Sequence, residues 1–430
     1  MKRHIAHITI QADTPLKVGS NDSDFIQDAP IQKDWNNLPM ILGTSITGVL
    51  RKEFSQSEAD NIFGKDMGSS VIISNALLLG KNKKVSEQLL LEKSQFLKIF
   101  DNLPIREHTA ITENGVAKEH SKFDEEVVYK GTRFKFSIEV LEDKIIFDKL
   151  IEKIQLNTLR IGAGSTKGFG KFKVISIKTQ TFTKEDYNTY SSSLNHKLEN
   201  LQELNIISDK NYVKYILNIM PDDFFMFGSG FGDSDADMTP VYEQVIDYRT
   251  GELSENMILI PASSIKGAIS HRVAFYYNKY LLENENEKDY KKVGEKNAAV
   301  KVIFGHKKEE DKNTKKELGQ KGRILISDCF KENTNQTKIF DHVSIDRFTG
   351  GATEGALFQE KTISKQEDND YYTLEILLEK DDENIQYQKA IRALENSLKD
   401  ICNGMLSLGG ATTKGHGIFS GTCTRDGEAL

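Results

Sequence analysis

The strongest constraint on this sequence is an internal duplication. Five segments of the first half recur, in the same order, in the second half. The five pairs are 41–51 with 260–272, 62–64 with 303–305, 71–75 with 324–328, 114–125 with 349–360, and 161–172 with 408–419. Because similar segments in a fixed order indicate a repeated fold unit, the sequence predicts two copies of one domain.

A polar stretch separates the two copies. It contains the Ser191-Ser192-Ser193 run and few apolar residues. We therefore predict a first domain over 1–180, a linker over 181–211 and a second domain over 212–430. The longest insertion, Leu281 to Lys321, is crowded with charged residues, and we expect part of it to be disordered.

The periodicity within each copy predicts the α+β class. Strict alternation predicts strands, for example over 7–11 and 215–219, and helical spacing predicts helices over 144–156 and 385–398. The order of strand, helix, strand-rich middle, helix, glycine-rich loop and final strand predicts a ferredoxin-like sandwich in each half. In the linker, 198–204 has the pattern of a short helix.

The composition excludes several classes of protein. A net charge of -7 argues against a protein that coats nucleic acid with a uniformly basic surface. No apolar run approaches the roughly 20 residues of a membrane helix, so we expect a cytoplasmic protein with no membrane partner. The cysteines Cys329, Cys402 and Cys423 are widely separated with no CxxC pair, which excludes a disulfide framework or a four-ligand zinc site built from them, and we expect them to be buried.

The two glycine-rich loops carry the first candidate binding residues. Both loops lead into a strand-like segment, whereas a dinucleotide or P-loop site must open a helix, so no small-molecule substrate is predicted. Glycines let backbone N–H groups approach an anion, and a lysine adds charge, which suits a phosphodiester backbone. The alternative is a tight turn with no ligand. The candidates are Gly164, Ser165, Thr166, Lys167, Gly168, Thr412, Thr413, Lys414, Gly415 and His416. For His416, stacking on a base and packing under the turn both stay open.

Hydroxyl pairs begin the first long helix of each copy. Thr44 with Ser45, and Ser263 with Ser264, stand where a helix N-cap belongs, and capping alone explains one hydroxyl of each pair. The second hydroxyl, with basic residues along the first turns, also fits a phosphate seat at a helix N-terminus. These basic residues are Arg51, Lys266 and Arg272.

Together these segments resemble the RAMP superfamily of CRISPR-associated proteins, in particular the backbone subunits of type III effector complexes. Ile260-Pro-Ala-Ser-Ser-Ile-Lys-Gly267 matches the family's Ile-Pro-Gly-Ser-Ser-x-Lys-Gly segment except at Ala262, and 42–48 matches it more loosely. Asp346-Arg-Phe-Thr-Gly-Gly-Ala352 matches a second family segment and adds Arg347 to the candidate RNA contacts. The resemblance covers nearly the whole chain, and the fused pair is similar to the double-domain backbone proteins of the type III-D group.

The resemblance implies a set of RNA and protein partners. Each copy would bind guide RNA on its sheet and glycine-rich loop, and target RNA would be recognised by base pairing with the guide. A thumb hairpin in each copy, over 109–126 and 344–360, would separate short stretches of the guide–target duplex. Other type III effector subunits would complete the particle.

The resemblance also implies cleavage of target RNA at two sites. Family members cut with an aspartate in an Asp-x-Pro context, which Asp28 fits; in the second copy Asp237 is the best candidate, with Asp233 and Asp235 as alternatives. Such a carboxylate can hold Mg²⁺ (or Mn²⁺) at the scissile phosphate or help to activate the ribose 2′-hydroxyl. Two other functions stay open: a structural RNA-binding subunit that has lost cleavage, and a guide-processing endoribonuclease. The second usually has one glycine-rich loop near its C-terminus, so two loops favour the backbone subunit.

Overall fold

The computed structural model describes residues 2–20, 30–65, 68–112, 116–284, 292–310, 317–333, 336–365, 371–381 and 383–430. Asp28 lies outside these ranges, as do two parts of the long insertion for which disorder is expected, 285–291 and 311–316. Within the described ranges, no helix has the length and apolarity that a membrane span requires.

The first copy is built around one antiparallel sheet. The strands of this copy, within and outside that sheet, are β1 (Arg3–Ala12), β2 (Met40–Ile41), β3 (Val71–Ile73), β4 (Ala76–Leu78), β5 (Ile105–Ile111), β6 (Ala117–Glu126), β7 (Arg133–Leu141), β8 (Phe172–Phe182) and β9 (Asn200–Leu201). Its helices are α1 (Gly43–Arg51), α2 (Gln56–Phe63), α3 (Gln95–Lys98) and α4 (Lys144–Lys153). The sheet order is β2-β4-β7-β1-β8-β9, and β3 also pairs with β7.

The second copy repeats this arrangement. Its strands are β10 (Tyr212–Pro221), β11 (Phe224–Phe225), β12 (Tyr242–Glu243), β13 (Ile246–Asp247), β14 (Glu252–Leu253), β15 (Met257–Ile260), β16 (Gly305–Glu310), β17 (Glu317–Lys321), β18 (Ile324–Ile326), β19 (Cys329–Lys331), β20 (Thr337–His342), β21 (Phe358–Ser364), β22 (Tyr372–Glu379), β23 (Phe419–Arg425) and β24 (Glu428–Ala429). Its helices are α5 (Ala262–Asn284), α6 (Ala298–Phe304) and α7 (Ile385–Cys402). The main sheet runs β18-β22-β10-β23-β24.

Both sheets have the ferredoxin-like strand order. The spatial order β4-β7-β1-β8 in one copy corresponds to β18-β22-β10-β23 in the other. Along the chain, a helix follows the first and the third of these four strands in each copy. Matching carboxyl and amide side chains begin the second helix of each unit: Asp143 accepts from the N–H groups at the start of α4, and Asn384 does so for α7. The prediction of two tandem ferredoxin-like domains is therefore confirmed.

Each copy has its own hydrophobic core between sheet and helices. Alternate residues of β1, including Ile8 and Ile10, face the first core, and Tyr215 and Leu217 of β10 face the second. The three cysteines are free and buried, as expected for small apolar residues.

The segment predicted as the linker covers the other face of the first sheet. Leu198 packs on Ile5 of β1, and His7 on the same face is so deeply buried that its pKa falls to about 4, with the charge of Lys135 acting in the same direction. The helix predicted over 198–204 is wrong. Asn200–Leu201 instead forms β9 on the exposed edge of β8, where the backbone groups lacked a partner. The linker therefore covers part of this face of the first sheet.

Candidate nucleic-acid interface

The glycine-rich loops fold as tight turns that lead into a strand. The loop at 162–170 precedes β8, and the loop at 409–417 precedes β23, so the prediction that both open a strand is correct. Gly162 and Gly417 have φ values of +89° and +75°, which other residues rarely adopt. Residues 412–415 are exposed, whereas 164–167 are half-buried.

The loop of the first copy meets the helix start of the second copy. Lys266 on α5 donates a hydrogen bond from Nζ to Thr166 Oγ1 at 3.1 Å. Gly168 packs so closely that a Cβ there would lie 2.8 Å from the Cβ of Ala262. We call the surface formed by 165–168 and 263–267 the composite seat.

The remaining loop and helix start have no such partner in the chain. In the described part of the chain, no hydrogen bond joins 409–417 to 43–48. The second loop packs on Met226, and the start of α1 packs on Ile73 and Ser74. Among the described residues, one complete seat lies between the copies, and the start of α1 and the loop at 409–417 are each half of a seat.

Residues in the turns between two strands cap the two helices. Asn75 Oδ1 accepts from Gly43 N, and Asp328 Oδ1 accepts from Ala262 N, both at 2.8 Å. These residues end two of the paired segments, but the sequence analysis gave them no role. Among the described residues, the side-chain hydroxyls of Thr44, Ser45, Ser263 and Ser264 have no hydrogen-bond partner, so capping does not occupy them.

The electrostatics of the composite seat favour an anion. Burial lowers the pKa of Lys266, and the positive charge of Lys167 lowers it further. Both effects disfavour the ammonium form, and a phosphate between the two lysines would offset them. The seat therefore suits a ligand with a negatively charged backbone.

A glycine stands on the exposed side of each helix, one turn after the hydroxyls. Gly48 and Gly267 occupy the same position in the two copies, are exposed, and have no atom within 4 Å of the place where a Cβ would lie. Glycine inside a helix costs roughly 0.5–1 kcal/mol relative to alanine. Packing within the chain does not require it here, so the free space suits close approach by a ligand backbone. In the sequence these glycines stand out only as matched positions of the repeat.

The two arginines predicted beside the helix starts lie elsewhere. Arg51 pairs with Asp60 and donates to Gly64 O, and Arg272 pairs with Asp400 at 3.2 Å. Arg272 is ten residues from the start of α5, or about 15 Å along the helix. The structure therefore brings Lys266 to the composite seat and places Arg51 and Arg272 in ion pairs within their own copies.

The loop lysines contact acidic residues of the thumbs. Lys167 Nζ lies 3.6 Å from Glu125 Oε1, and Lys414 Nζ lies 2.9 Å from Glu360 Oε2. Burial disfavours the charged form of Glu125, but contacts with His108, Lys17 and Lys167 outweigh this and hold its pKa at about 2. The stabilisation from Glu125 is therefore present above its usual pKa of about 4.5 and is lost as the pH falls towards 2.

His416 packs under its loop. Its ring is buried against Phe224 and Phe340, with ring centroids 6.0 and 5.2 Å away. Of the two roles left open by the sequence, the structure shows the packing role.

The thumbs are antiparallel hairpins that begin before the predicted bounds. The first pairs Ile105–Ile111 with Ala117–Glu126, and the second pairs Thr337–His342 with Phe358–Ser364 around a long loop. Their exposed, charged strands have little apolar alternation, which is why the sequence located them less well than the core strands.

The loop of the second thumb presents an aromatic and a basic side chain. Asp346 accepts from Phe348 N at 2.9 Å and from Thr349 Oγ1 at 3.0 Å, and this turn leaves Arg347 exposed and Phe348 100% exposed. An exposed ring beside a guanidinium suits stacking on nucleic-acid bases. Phe348 lies in a motif that the sequence analysis quoted, but was not selected there.

Asp237 lies against the second thumb, near the end of the paired strands from which the long loop extends. Its Oδ2 accepts from Gln359 N at 2.8 Å, whereas Asp233 and Asp235 both pair with Lys361 at 3.0 Å. Asp237 is exposed. Among the described residues, no three His, Cys, Asp or Glu side chains form a metal-binding group. A divalent ion held by Asp237 would need further ligands from phosphate and water, which Mg²⁺ accepts.

Comparison with known protein families finds the same two-copy organisation. The RAMP superfamily profile matches residues 9–173 and 245–420, which is well over half of the chain. The chain therefore belongs to the RAMP superfamily.

Two individual proteins show more limited similarity. The chain is 27% identical over 195 residues to the CRISPR system Cms endoribonuclease Csm3 of Streptococcus thermophilus, covering 40% of this chain and 87% of that protein. A chain in the cryo-EM structure of the type III-B Cmr-beta complex bound to cognate target RNA matches with 18% identity and a TM-score of 0.32. The matched region covers 41% of this chain and 61% of the length of the Cmr-beta chain.

Proposed function

We propose that this protein is a guide-RNA-binding backbone subunit of a type III CRISPR ribonucleoprotein and cleaves complementary target RNA at two positions. Membership of the RAMP superfamily and the similarity to a protein named as a CRISPR endoribonuclease support this function. The composite seat is the single observation that carries the proposal. It combines a glycine turn, hydroxyls without partners, a helix start and Lys266, all of which suit a phosphodiester strand.

The half-seats on the outer sides fit a particle with several subunits. A neighbouring subunit with the same fold would supply a glycine loop to the start of α1, and another would supply a helix start to 409–417. A guide strand would then run from seat to seat along successive domains. The thumbs would contact the duplex through exposed side chains such as Phe348 and Arg347.

Asp28 and Asp237 are the proposed catalytic residues. In the reaction, the ribose 2′-oxygen forms a bond to the adjacent phosphorus, the bond from phosphorus to the 5′-oxygen breaks, and water protonates the leaving oxygen. Asp237 would accept the 2′-hydroxyl proton or hold a divalent ion, Mg²⁺ or Mn²⁺, which offsets the charge that develops on the phosphate.

Lys266→Met tests the composite seat. We expect the affinity of the full chain for single-stranded guide-length RNA to fall roughly fivefold to tenfold, because one charged phosphate contact is lost. The slope of log affinity against log salt should become shallower by about 0.7, the value for one phosphate of a single strand. Fluorescence anisotropy at several salt concentrations measures both quantities.

Lys279→Met is the matched control for this test. Lys279 lies on the same helix and is exposed, with its Nζ near Glu283 and away from the seat. Its replacement should leave the affinity and the salt slope close to those of the wild type. Equal losses in the two variants would show that only overall charge matters and would contradict a local seat.

Gly48→Ala and Gly267→Ala should change stability and RNA binding in opposite directions. Alanine favours the helix, so the free energy of unfolding should rise by roughly 0.5–1 kcal/mol per site. The added methyl group occupies space reserved for the RNA backbone, so RNA affinity should fall. Urea unfolding and anisotropy measure the two effects. Unchanged affinity in both variants would remove these helix faces from the interface.

A further inference from the structure

Both copies contain the same four side chains where the thumb meets the glycine-rich loop. We call each set a thumb anchor. The first consists of Lys167, Glu125, His108 and Phe123, and the second of Lys414, Glu360, His342 and Phe358. The lysine comes from the loop, and the other three residues come from the two strands of the hairpin.

The geometry of the anchors agrees closely between the copies. The distance from histidine Nε2 to the glutamate is 3.1 Å for His108 and 3.2 Å for His342. Each histidine stacks on the phenylalanine of its set, at interplanar angles of 23° and 27°. The lysine Nζ lies over the same ring, 4.7 Å from the centroid of Phe123 and 4.5 Å from that of Phe358.

The glutamates are buried, which makes their partners essential. Glu125 is 7% exposed and Glu360 0% exposed. A buried carboxylate is stable only when it is paired, so each glutamate holds a loop lysine and a thumb histidine in fixed positions. In the first copy Lys17 is an additional partner of Glu125, at 2.6 Å. Gly162 packs on the backbone carbonyl of Lys17, and the matching Gly409 packs on the backbone carbonyl of Met226. Met226 therefore occupies the position of Lys17 in the second copy, and this extra lysine is missing there.

The second anchor lies next to the candidate catalytic aspartate. Asp237 binds the backbone N–H of Gln359, which stands between Phe358 and Glu360 on the same strand. The loop that carries Asp237 follows this strand further, because Lys361 N donates to Met238 O at 2.8 Å. The position of the thumb therefore determines the position of Asp237.

We propose that Glu125 and Glu360 are positioning residues that tie each thumb to the loop that binds the guide, and thereby set where the target is cut. This inference rests on the proposed function. The guide-binding loop and the target-separating thumb move as one unit because a buried carboxylate of the thumb forms an ion pair with the lysine of the loop. The second copy offers the sharper test, since Glu360 has no second lysine equivalent to Lys17.

Glu360→Gln tests the anchor in two measurements. In the purified full chain, amide hydrogen exchange of the strands 337–342 and 358–364 should become roughly tenfold faster or more, because the thumb loses its ion pair with the lysine of the loop. In the assembled particle, the length of protected guide RNA should stay unchanged. The rate constant for the target cut assigned to the second copy should fall, with little change in KM. Glu395→Gln is the matched control, because it weakens an ion pair between Glu395 of α7 and Arg425 of β23, away from the thumb, and should alter neither thumb exchange nor cleavage.

His342→Gln provides a second variant that leaves the buried carboxylate in place, and it should act in the same direction. Wild-type thumb exchange in both variants would overturn the anchor. Faster exchange with wild-type cleavage at both positions would overturn its role in positioning the cut. A chain that binds no guide RNA would defeat the proposed function, while the exchange measurement would still decide whether the anchor holds the thumb.

Discussion

Asp237→Asn is expected to abolish one of the two target cuts and to leave the other in place. Loss of a carboxylate that takes up a proton or holds a metal ion typically lowers a rate by about 10²–10⁴-fold. Asparagine keeps the oxygen that accepts from Gln359 N, so the loop and the thumb should keep their positions. The measurement is the pattern of labelled target fragments produced by the assembled particle. Asp28→Asn should remove the other cut.

Asp235→Asn is the control for this variant. It removes the same charge two residues away, from a carboxylate that pairs with Lys361. Its cleavage pattern should match the wild type. If Asp235→Asn removes the cut and Asp237→Asn does not, the catalytic role moves to Asp235. Unchanged cleavage in Asp28→Asn and Asp237→Asn would favour a structural subunit instead.

Removal of metal extends the same experiment. A chelator should stop both cuts in the wild-type particle, and added Mg²⁺ or Mn²⁺ should restore them. Guide protection should survive the chelator, because the composite seat binds through lysine, hydroxyl and backbone N–H groups. Continued cleavage with the chelator present would contradict the metal proposal but not the role of Asp237 as a proton acceptor.

The fold was predictable because the same order of strand and helix patterns occurs twice in the sequence. Each ambiguous strand or helix has a counterpart whose periodicity supports the same assignment. The glycine-rich loops were also predictable, since positive φ values at Gly162 and Gly417 allow little else. The segment over 198–204 has no counterpart, and there a helical pattern was overridden by an edge strand that needed pairing.

The candidate site was less predictable because it depends on contacts between the copies. The alignment places a loop and a helix start in each copy, which suggests that they meet within that copy. The structure joins the loop of one copy to the helix of the other. Glu125 and Glu360 were already in register in the sequence, but His108 and His342 are one residue out of that alignment. Only the paired strands of each hairpin bring histidine, glutamate and phenylalanine together.

Arg106 is buried at the junction between the copies, and its replacement by methionine should have a large effect on stability. Its Nε lies 2.8 Å from Glu243 Oε2, and its Nη1 lies 2.7 Å from Asp328 Oδ2. All three residues are buried. Burial opposes the charge on Arg106, but Asp328 and Glu243 outweigh it and raise the pKa of the guanidinium.

Arg106→Met should lower the free energy of unfolding by about 3–5 kcal/mol, because two carboxylates remain buried without their partner. That is a large part of the roughly 5–15 kcal/mol that stabilises a typical protein. Urea unfolding measures the loss. RNA affinity should fall as well, since Asp328 caps the helix that carries Lys266, and Gly168 packs against the same carboxylate.

The triple variant Arg106→Met, Glu243→Gln, Asp328→Asn should recover most of the lost stability, because it removes the charges together with their partner. Asparagine at 328 keeps the helix cap, as Asn75 does at the same position of the first copy. Arg249→Met is the matched control, since Arg249 is exposed and pairs with Asp247, two residues before it. It should change stability by less than about 1 kcal/mol. If Arg106→Met were no worse than this control, the copies would be held together by apolar contacts, and the buried ion pairs would not set the geometry of the composite seat.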